Sequence, residues 1–284
     1  MKKLKISAMF FAATAFAATT FTACTQEENV QPKEDKLALT DEVMSQFTEL
    51  GFDVSDIEAV EGNSLDGGVE SGFMLEGDIF ISQDNFRKML DSESHNGPMG
   101  EQYRTNNLVS SSNYTIDIIG YTANNSNGLD SKTQTALQWA VNNYNRLNIG
   151  LNFNLTFGTN YQSKDMVVYR VSGGGGGSAG FPSGGAPYKW VKINSGTSSY
   201  DTNVVEHVIT HEIGHSVGLR HTDYFDRSYS CGSGGNEGDG GVGAIHIPGT
   251  PTGVDPNSIM LACFSSSEDG EFGSNDVTAL EYLY

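Results

Sequence analysis

One eleven-residue segment limits what this chain can fold into more than any other feature. Residues 211–221 are His-Glu-Ile-Gly-His-Ser-Val-Gly-Leu-Arg-His. Because residues four apart in a helix lie one turn apart on the same face, His211 and His215 can direct two imidazoles at one ion. Gly218 lacks a Cβ and can leave the helical path, so that the chain turns back and presents His221 as a third ligand. Three histidines leave a fourth position open to water, as in catalytic zinc sites.

Glu212 follows the first histidine and lies one step around the helix. It is close enough to reach a water on the metal without ligating the metal itself. A bare His-Glu-x-x-His arises by chance in roughly one chain in a hundred of this length, and the glycine and third histidine lower that frequency about a thousandfold. The segment therefore predicts a catalytic zinc centre rather than unrelated histidines of the core or the surface.

This pattern resembles the zinc motif of the metzincin clan of endopeptidases. Ser-Ile-Met at 258–260 is similar to the clan's tight turn, and the likeness implies that Met260 lies beneath the zinc. Residues 179–182, followed by an expected strand at 190–194, are similar to the segment whose edge pairs with substrate. Residues 274–284 are similar to the closing helix. The letters His-Glu-Ile-Gly-His, in a lipoprotein of this size, most resemble the family of dual-action HEIGH metallopeptidases.

The resemblance covers about residues 113–284 and implies a zinc-dependent endopeptidase. Zinc would lower the pKa of a water and polarise the scissile carbonyl. Glu212 would act as the general base, taking a proton from that water and passing it to the leaving amine. Two positions depart from the clan. Ala262 stands where astacins have an extra tyrosine ligand, which is therefore expected to be absent, and Thr222 matches none of the main subgroups.

The implied partner is a protein or peptide substrate, and the chain is expected to be a monomer. Two other functions stay open. One is a catalytically silent surface lipoprotein that binds peptide or glycoprotein without cleaving it, and the other is a non-proteolytic metal-binding protein. The intact Glu212 argues against the silent binder.

The first 24 residues predict export. Three lysines within the first five residues precede an uncharged stretch at 6–23, which is the pattern of a secretory signal peptide. The small residue before Cys24 resembles the lipobox of bacterial lipoproteins, in which the cysteine is lipidated; an ordinary cleavage site with an incidental cysteine is the alternative. The residues at 25–28, Thr-Gln-Glu-Glu, are similar to a short acidic export signal of Bacteroidetes-type bacteria. The predicted location is the outer membrane, at the cell surface, or outside the cell.

The charge balance narrows the classes of partner. The 284 residues include 35 acidic and 16 basic side chains, which gives a formal charge of −19. A chain this acidic argues against nucleic acid as a partner, because a cationic face is what neutralises phosphates. The acidity suits solubility outside the cell. Contact with a membrane is expected only through the lipid at the N-terminus.

The sequence divides into a signal peptide at 1–23, a tether at 24–36, a prosegment-like N-terminal region at 37–111 and a catalytic domain at 112–284. Periodicity in the catalytic domain predicts strands at 114–121, 150–158, 166–171 and 190–194, and helices at 129–148, 204–219 and 272–284. That order predicts an α+β fold. The resemblance implies a mixed, twisted sheet, an active-site helix and a C-terminal helix. The glycine-rich residues 173–185 are expected to form a flexible surface loop.

The N-terminal region carries weaker signals. Its predicted elements are helices at about 40–50 and 84–90, irregular structure at 53–72, and a strand at 73–82 interrupted near Asp78. Phe73 and the following Glu-Gly-Asp resemble the Phe-x-Gly-Asp stretch of astacin prosegments, although the spacing is longer. In astacins that aspartate caps the zinc of the latent enzyme, so the likeness implies Asp78 as a latency switch in a zymogen. An ordinary Gly-Asp turn is the alternative.

Two further features are predicted near the zinc motif. Cys231 and Cys263 are the cysteines that remain after Cys24, and outside the cytoplasm they are expected to pair, with free thiols as the alternative. Four loop acids offer oxygen ligands for Ca²⁺, although solvated loop acids are the commoner case. They are Asp223, Asp226, Glu237 and Asp239.

Overall fold

The computed structural model describes residues 37–50, 52–91, 103–235, 245–251 and 253–284. The predicted signal peptide, the tether and Cys24 lie outside the described residues, as do Glu237 and Asp239 of the predicted calcium ligands. Among the helices within these ranges, none combines the length and the apolar character needed to traverse a lipid bilayer.

The N-terminal region is a small antiparallel sheet flanked by two helices. Its elements in chain order are α1 (Asp41–Glu49), β1 (Glu58–Asn63), β2 (Val69–Leu75), β3 (Ile79–Ser82) and α2 (Gln83–Asp91). The strands pair in the order β1-β2-β3. Thr40 caps α1, because its side chain accepts a hydrogen bond from the backbone N–H of Val43.

The irregular structure expected for residues 53–72 is wrong, because β1 and the start of β2 lie there. Five of the six β1 residues are exposed, so the strand lacks the alternation that reveals a half-buried strand in a sequence. Pairing with β2 forms it instead, from Glu58 opposite Met74 to Asn63 opposite Val69. A strand that is stabilised mainly by backbone pairing with a neighbour need not show a strand pattern in its own sequence.

Phenylalanine rings form the core of the N-terminal region. The ring of Phe47 stacks on Phe86 with centroids 4.2 Å apart and meets Phe73 edge to face at 5.0 Å. Such aromatic pairs contribute about 0.5–1.5 kcal/mol beyond the area they bury. Phe181, from the predicted catalytic domain (called the catalytic domain below), lies 6.3 Å from Phe52 and closes this cluster. The core of the N-terminal region therefore continues into the catalytic domain.

The catalytic domain is built on a five-stranded sheet. Its elements are β4 (Tyr103–Arg104), β5 (Thr115–Tyr121), α3 (Ser131–Asn145), β6 (Asn152–Gly158), β7 (Met166–Val171), β8 (Gly177–Ser178), β9 (Trp190–Asn194), α4 (Thr202–Ser216), α5 (Ser228–Cys231), β10 (Ile245–His246) and α6 (Ser274–Leu283). The strand order is β6-β5-β7-β9-β8, in which only β8 runs antiparallel to its neighbour. The predicted α+β fold with a mixed sheet is confirmed.

Helices α3 and α4 form the layer that carries the functional segment. The hydroxyl of Tyr144 on α3 donates to the backbone carbonyl of Thr210 on α4 over 2.9 Å. Around that bond the two helices share one apolar core with the strands, including Leu137, Val205 and Ile116. Every residue of α4 from Val204 to Ser216 is buried. A helix enclosed on all sides holds its side chains in fixed rotamers, as a metal centre requires.

The flexible surface loop expected at 173–185 is wrong in its second half. Here β8 pairs with β9, and Ala179 is buried. A Cβ added at Gly177 would lie 2.8 Å from the Glu212 carboxylate, so glycine is what lets this strand approach Glu212 so closely. The sequence shows that this segment is rich in glycine, but it does not show which glycines are required for close packing against neighbouring residues.

Residues 103–111 contact the zinc motif, although they were assigned to the N-terminal region. Strand β4 pairs with β10, and the Tyr103 carbonyl accepts a hydrogen bond from the backbone N–H of Arg220. The backbone N–H of Thr105 donates to the carbonyl of Gly218. This stretch therefore supports the turn that precedes His221.

Candidate metal centre

The zinc motif folds as its spacing predicts. His211 and His215 lie on α4, which ends at Ser216. Gly218 has a φ of +109°, and a Cβ there would lie 2.9 Å from the Asn107 carbonyl, so a residue with a side chain would be both strained and crowded. The chain reverses at this point and brings His221 back beside the helix.

The three histidines meet a carboxylate from the N-terminal region. The Oδ2 atom of Asp78 lies 3.3 Å from Nε2 of His211 and 3.3 Å from Nε2 of His221. Its Oδ1 atom lies 4.0 Å from Nε2 of His215. One ligand atom from each of these four residues falls within 4.8 Å of all the others.

Backbone carbonyls orient two of the imidazoles. Nδ1 of His211 lies 2.8 Å from the Ile259 carbonyl, and Nδ1 of His215 lies 2.9 Å from the Leu219 carbonyl. A carbonyl only accepts, so each Nδ1 carries the proton and each Nε2 presents its lone pair to the centre. Burial lowers the pKa of His215, with the charges of His211 and His221 adding to the effect, and so favours the neutral form that binds metal.

Met260 lies against the helix at the predicted turn. It is buried, and a Cβ added at Gly214 would lie 2.5 Å from its sulfur, so a glycine is required opposite it. Its carbonyl accepts a hydrogen bond from Thr222, the residue after the third histidine. Asp276 on α6 holds the turn from the other side by accepting from the hydroxyl of Ser258 and from the N–H of Ile259.

Glu212 is buried beside the four-residue cluster. Burial raises the pKa of Glu212 first, the charge of Asp78 raises it further, and His221 opposes both. Burial also disfavours the charged form of Asp78, but the charge of His221 holds the pKa of that carboxyl well below its ordinary range. The pKa values of the two carboxyl groups are therefore shifted in opposite directions.

Asp78 reaches the histidines from the tip of a hairpin between β2 and β3. The backbone N–H of Asp78 donates to the Leu75 carbonyl across the turn, and the two central residues, Glu76 and Gly77, have φ values of +58° and +90°. The hairpin then pairs with the edge of the main sheet. The Phe80 N–H donates to the Ala179 carbonyl over 2.7 Å, and the Ala179 N–H donates to the Asp78 carbonyl over 3.0 Å.

Glu76 and two arginines complete the contact, and the sequence did not assign them a role. Oε1 of Glu76 lies 2.5 Å from Nη2 of Arg220, and Oε2 lies 3.3 Å from Nδ1 of His221. Arg227 donates to the Glu76 carbonyl over 2.8 Å and to Asp56 over 3.1 Å. Arg220 lies inside the zinc motif and is buried, and a permanently charged residue within a segment predicted to bind metal was the available signal in the sequence.

A cavity of about 270 Å³ opens beside Glu212 and the hairpin tip. Its lining includes His207, Val208, Leu261, Ala262 and Phe264. Burial, followed by the charge of His211, lowers the pKa of His207 to about 4, so this side chain is neutral at neutral pH. His207 lies one helical turn before His211 on α4, and the sequence assigned it no role.

A disulfide ties the two loops that flank this cavity. Cys231 and Cys263 are bonded, with Cα atoms 5.1 Å apart. Asp223 supports the same junction by accepting from the Ala262 N–H and the Ser230 hydroxyl. Both carboxylate oxygens of Asp223 are thus engaged by protein donors, and the calcium site stays a prediction.

The residues of the cluster fit zinc. Three imidazole nitrogens and one carboxylate oxygen are the donors that zinc takes, and ligands about 2.0–2.1 Å from a tetrahedral ion lie about 3.3 Å from one another. Two of the measured separations have this value. In the described part of the chain, Nε2 of His215 is buried without a hydrogen-bond partner, which a metal would supply.

The site combines two histidines on a buried helix, a third histidine on the returning chain and a glutamate beside them. This combination defines a metallopeptidase. The model of the family described as dual-action HEIGH metallo-peptidase matches residues 73–284. The chain belongs to this family. The matched range begins within β2, so it takes in Glu76 and Asp78 at the hairpin tip together with the zinc motif.

The solved structures similar to this chain include two of myroilysin. The first has a TM-score of 0.40 and 16% identity, and the similar region covers 61% of this chain and 95% of the other. The second has a TM-score of 0.34 and 14% identity, with 58% of this chain and 81% of the other covered. Among proteins with curated descriptions, none matches the chain.

Proposed function

We propose that this chain is a secreted, zinc-dependent endopeptidase of metzincin type that is made as a latent zymogen. The single observation that carries the proposal is the position of the Asp78 carboxylate, 3.3 Å from the Nε2 atoms of His211 and His221. A carboxylate there takes the place that a catalytic zinc site keeps for water. The substrate is a protein or a peptide.

Each residue of the site has a distinct task in this proposal. His211, His215 and His221 hold the zinc, which when bound supplies a Lewis acid that polarises the scissile carbonyl and lowers the pKa of a water. Glu212 takes the proton of the attacking water and delivers it to the leaving nitrogen. Met260 and the turn around it fix the imidazole of His211 through the Ile259 carbonyl.

Latency comes from two blocks in the same hairpin. Asp78 would take the fourth position at a zinc ion held by the three histidines, and the following residues pair with Ala179 at the edge of the main sheet. An extended peptide substrate binds to such an edge by adding a strand. Because the hairpin uses both sites, substrate binding requires its removal.

The N-terminal region that must leave ends before β4 in this proposal, because residues 103–111 support the zinc motif. Upstream, we propose that the signal peptide is cleaved before Cys24 and that the cysteine carries the lipid. The mature protein is then a monomer anchored in the outer membrane. Calcium binding to loop acids belongs to the same set of proposals and is tested by metal analysis.

The test of the peptidase proposal compares three preparations of the full-length chain. They are the wild type, Glu212→Gln, and Glu206→Gln as a control from the same buried helix. Each is analysed for zinc and, after limited trypsin digestion, for cleavage of a denatured protein. The wild type and the control should bind one zinc and cleave in a chelator-sensitive way. Glu212→Gln should keep the zinc and lose roughly 10²–10⁴-fold in rate.

Two results would contradict the proposal. Zinc without cleavage in the wild type would identify a metal-binding protein or a silent binder. Full activity of Glu212→Gln would show that Glu212 is not the general base.

A further inference from the structure

The hairpin tip fills a second site in addition to the position that Asp78 takes among the three histidines. In this second site the Glu76 carboxylate contacts Arg220. We infer that the processed enzyme uses this position, formed by Arg220, to select peptides that carry a carboxylate close to the scissile bond. The inference deepens the proposed function and rests on the release of the hairpin.

The position is built around the Glu76 carboxylate. Both Glu76 and Arg220 are buried, and their side chains form an ion pair over 2.5 Å. The second carboxylate oxygen lies 3.3 Å from Nδ1 of His221. Arg227 holds the backbone of the same residue by donating to its carbonyl over 2.8 Å. Charge-assisted bonds to an arginine are the stronger class of hydrogen bond, so this is a specific carboxylate site.

The walls of the site belong to the catalytic domain. Arg220, His221 and Arg227 remain when the N-terminal region leaves, and the Arg220 backbone stays bonded to the Tyr103 carbonyl. The N-terminal region contributes the carboxylate and the Phe52 ring, which lies 4.6 Å from the Arg220 guanidinium. Release of the N-terminal region therefore removes the Glu76 carboxylate and leaves Arg220, His221 and Arg227 in place.

The backbone of Glu76 indicates that its carboxylate is what the site recognises. Its φ of +58° is the left-handed region that glycine and asparagine adopt readily and that other residues rarely occupy. At the tip of a hairpin, turn geometry alone favours Asn or Gly. Glutamate at this position stores strain that its contact with Arg220 offsets.

General attraction between charges would not give the same selectivity. From residue 112 to the end, the sequence has 16 acidic and 8 basic side chains, so the catalytic domain as a whole repels anionic peptides. A preference for acidic peptides would therefore have to come from a local contact. The carboxylate that Arg220 binds lies 3.3 Å from Nδ1 of His221, a metal ligand, so a substrate carboxylate in this position would lie near the scissile bond.

The carboxylate can come from two sources. It is either the side chain of a substrate Asp or Glu or the C-terminal carboxylate of a peptide. Both offer the bidentate oxygens that a guanidinium matches. The experiment separates them by using each peptide with a free and with an amidated C-terminus.

The experiment uses the full-length chain processed by limited trypsin digestion, with loss of the hairpin confirmed by mass spectrometry. A peptide library locates the cleavage sites, and matched peptides then carry Glu or the isosteric Gln at the preferred acidic position. The wild type should cleave the Glu peptide about tenfold faster in kcat/KM. Arg220→Gln should remove the preference, whereas Arg146→Gln, at an exposed arginine paired with Glu271, should retain it.

A binding measurement separates this inference from the proposed function. Fluorescence anisotropy of the same labelled peptides is measured on processed Glu212→Gln, with and without Arg220→Gln. The acidic peptide should bind about tenfold more tightly only when Arg220 is present. If amidating the C-terminus abolishes the preference, the terminal carboxylate is the ligand, and the Arg220 site stands.

Equal cleavage and equal binding of the Glu and Gln peptides by the wild-type site would overturn the inference. This comparison decides the matter even if the Arg220 variant fails to fold. A wild type that binds acidic peptides selectively but cleaves none would contradict the peptidase proposal and leave the carboxylate site intact.

Discussion

The charged side chains around the metal centre shift one another's pKa values. The Asp78 charge, after burial, raises the pKa of Glu212. In the intact chain the same carboxylate therefore lies 3.3 Å from Nε2 of two histidines and also raises the pKa of Glu212, the proposed general base. Removal of the hairpin lifts both effects at once.

Glu206 offers a pH test at a residue on α4 that does not touch the metal ligands. Burial, then the charge of Glu271, raises the pKa of Glu206 from 4.5 to about 7. Folded Glu206 thus keeps its proton between pH 4.5 and 7, where the unfolded chain has lost it. The free energy of unfolding should fall as pH rises through that window.

The measurement is urea unfolding of the wild type and of Glu206→Gln at pH 5 and pH 8. The variant should gain stability relative to the wild type at the higher pH, because glutamine does not ionise. A difference between the two proteins that stays constant with pH would contradict the assignment.

Residues within the motif were predictable, and their partners across the chain were not. His211, His215, Gly218 and His221 follow from the geometry of one helix and one turn. Glu76 contacts Arg220 across 144 positions of sequence, and only the docking of the hairpin brings them together. No local pattern encodes a contact of that kind.

At the scale of elements, α6 supports the metal site through a single buried carboxylate. Asp276 accepts hydrogen bonds from Ser258, Ile259 and Gly273, and Ile259 in turn orients His211. The closing helix is therefore connected to the metal ligand through one turn.

Asp276→Asn should weaken this connection, because an amide offers one acceptor oxygen where the carboxylate offers two. Leaving a buried donor unsatisfied costs about 1–3 kcal/mol, so the free energy of unfolding should fall by this amount. Zinc affinity, measured by competition with a chelator, should fall as well. The control is Asp269→Asn, at an exposed aspartate. An unchanged zinc affinity in Asp276→Asn would contradict the proposed connection from Asp276 through Ile259 to His211.

Elements with strong local signals were predicted well. Strands β7 and β9 begin and end where alternation and β-branched residues indicate, at Met166–Val171 and Trp190–Asn194. Strands β1 and β8 were missed, since one is exposed along its length and the other consists of Gly177 and Ser178. Both form because a neighbouring strand offers backbone partners.

At the scale of the whole molecule, the N-terminal region and the catalytic domain share a core and a site. Phe181 packs among the rings of the N-terminal region and also meets the His215 imidazole edge to face, with centroids 5.6 Å apart. The hairpin is thus held by apolar contacts behind it and ionic contacts at its tip. Separation of the two parts exposes apolar and charged surface together, so we expect proteolysis to be needed for activation.

The most direct test of this account is the peptidase activity of the intact full-length chain. The intact wild type should cleave a peptide at least about tenfold more slowly than the same protein after trypsin has removed the hairpin, a difference of about 1.4 kcal/mol in barrier. Asp78→Ala should raise the activity of the intact chain, whereas Asp84→Ala, at an exposed acid on α2, should not. Equal activity of the intact and processed wild type would contradict the claim that the hairpin tip closes the metal site.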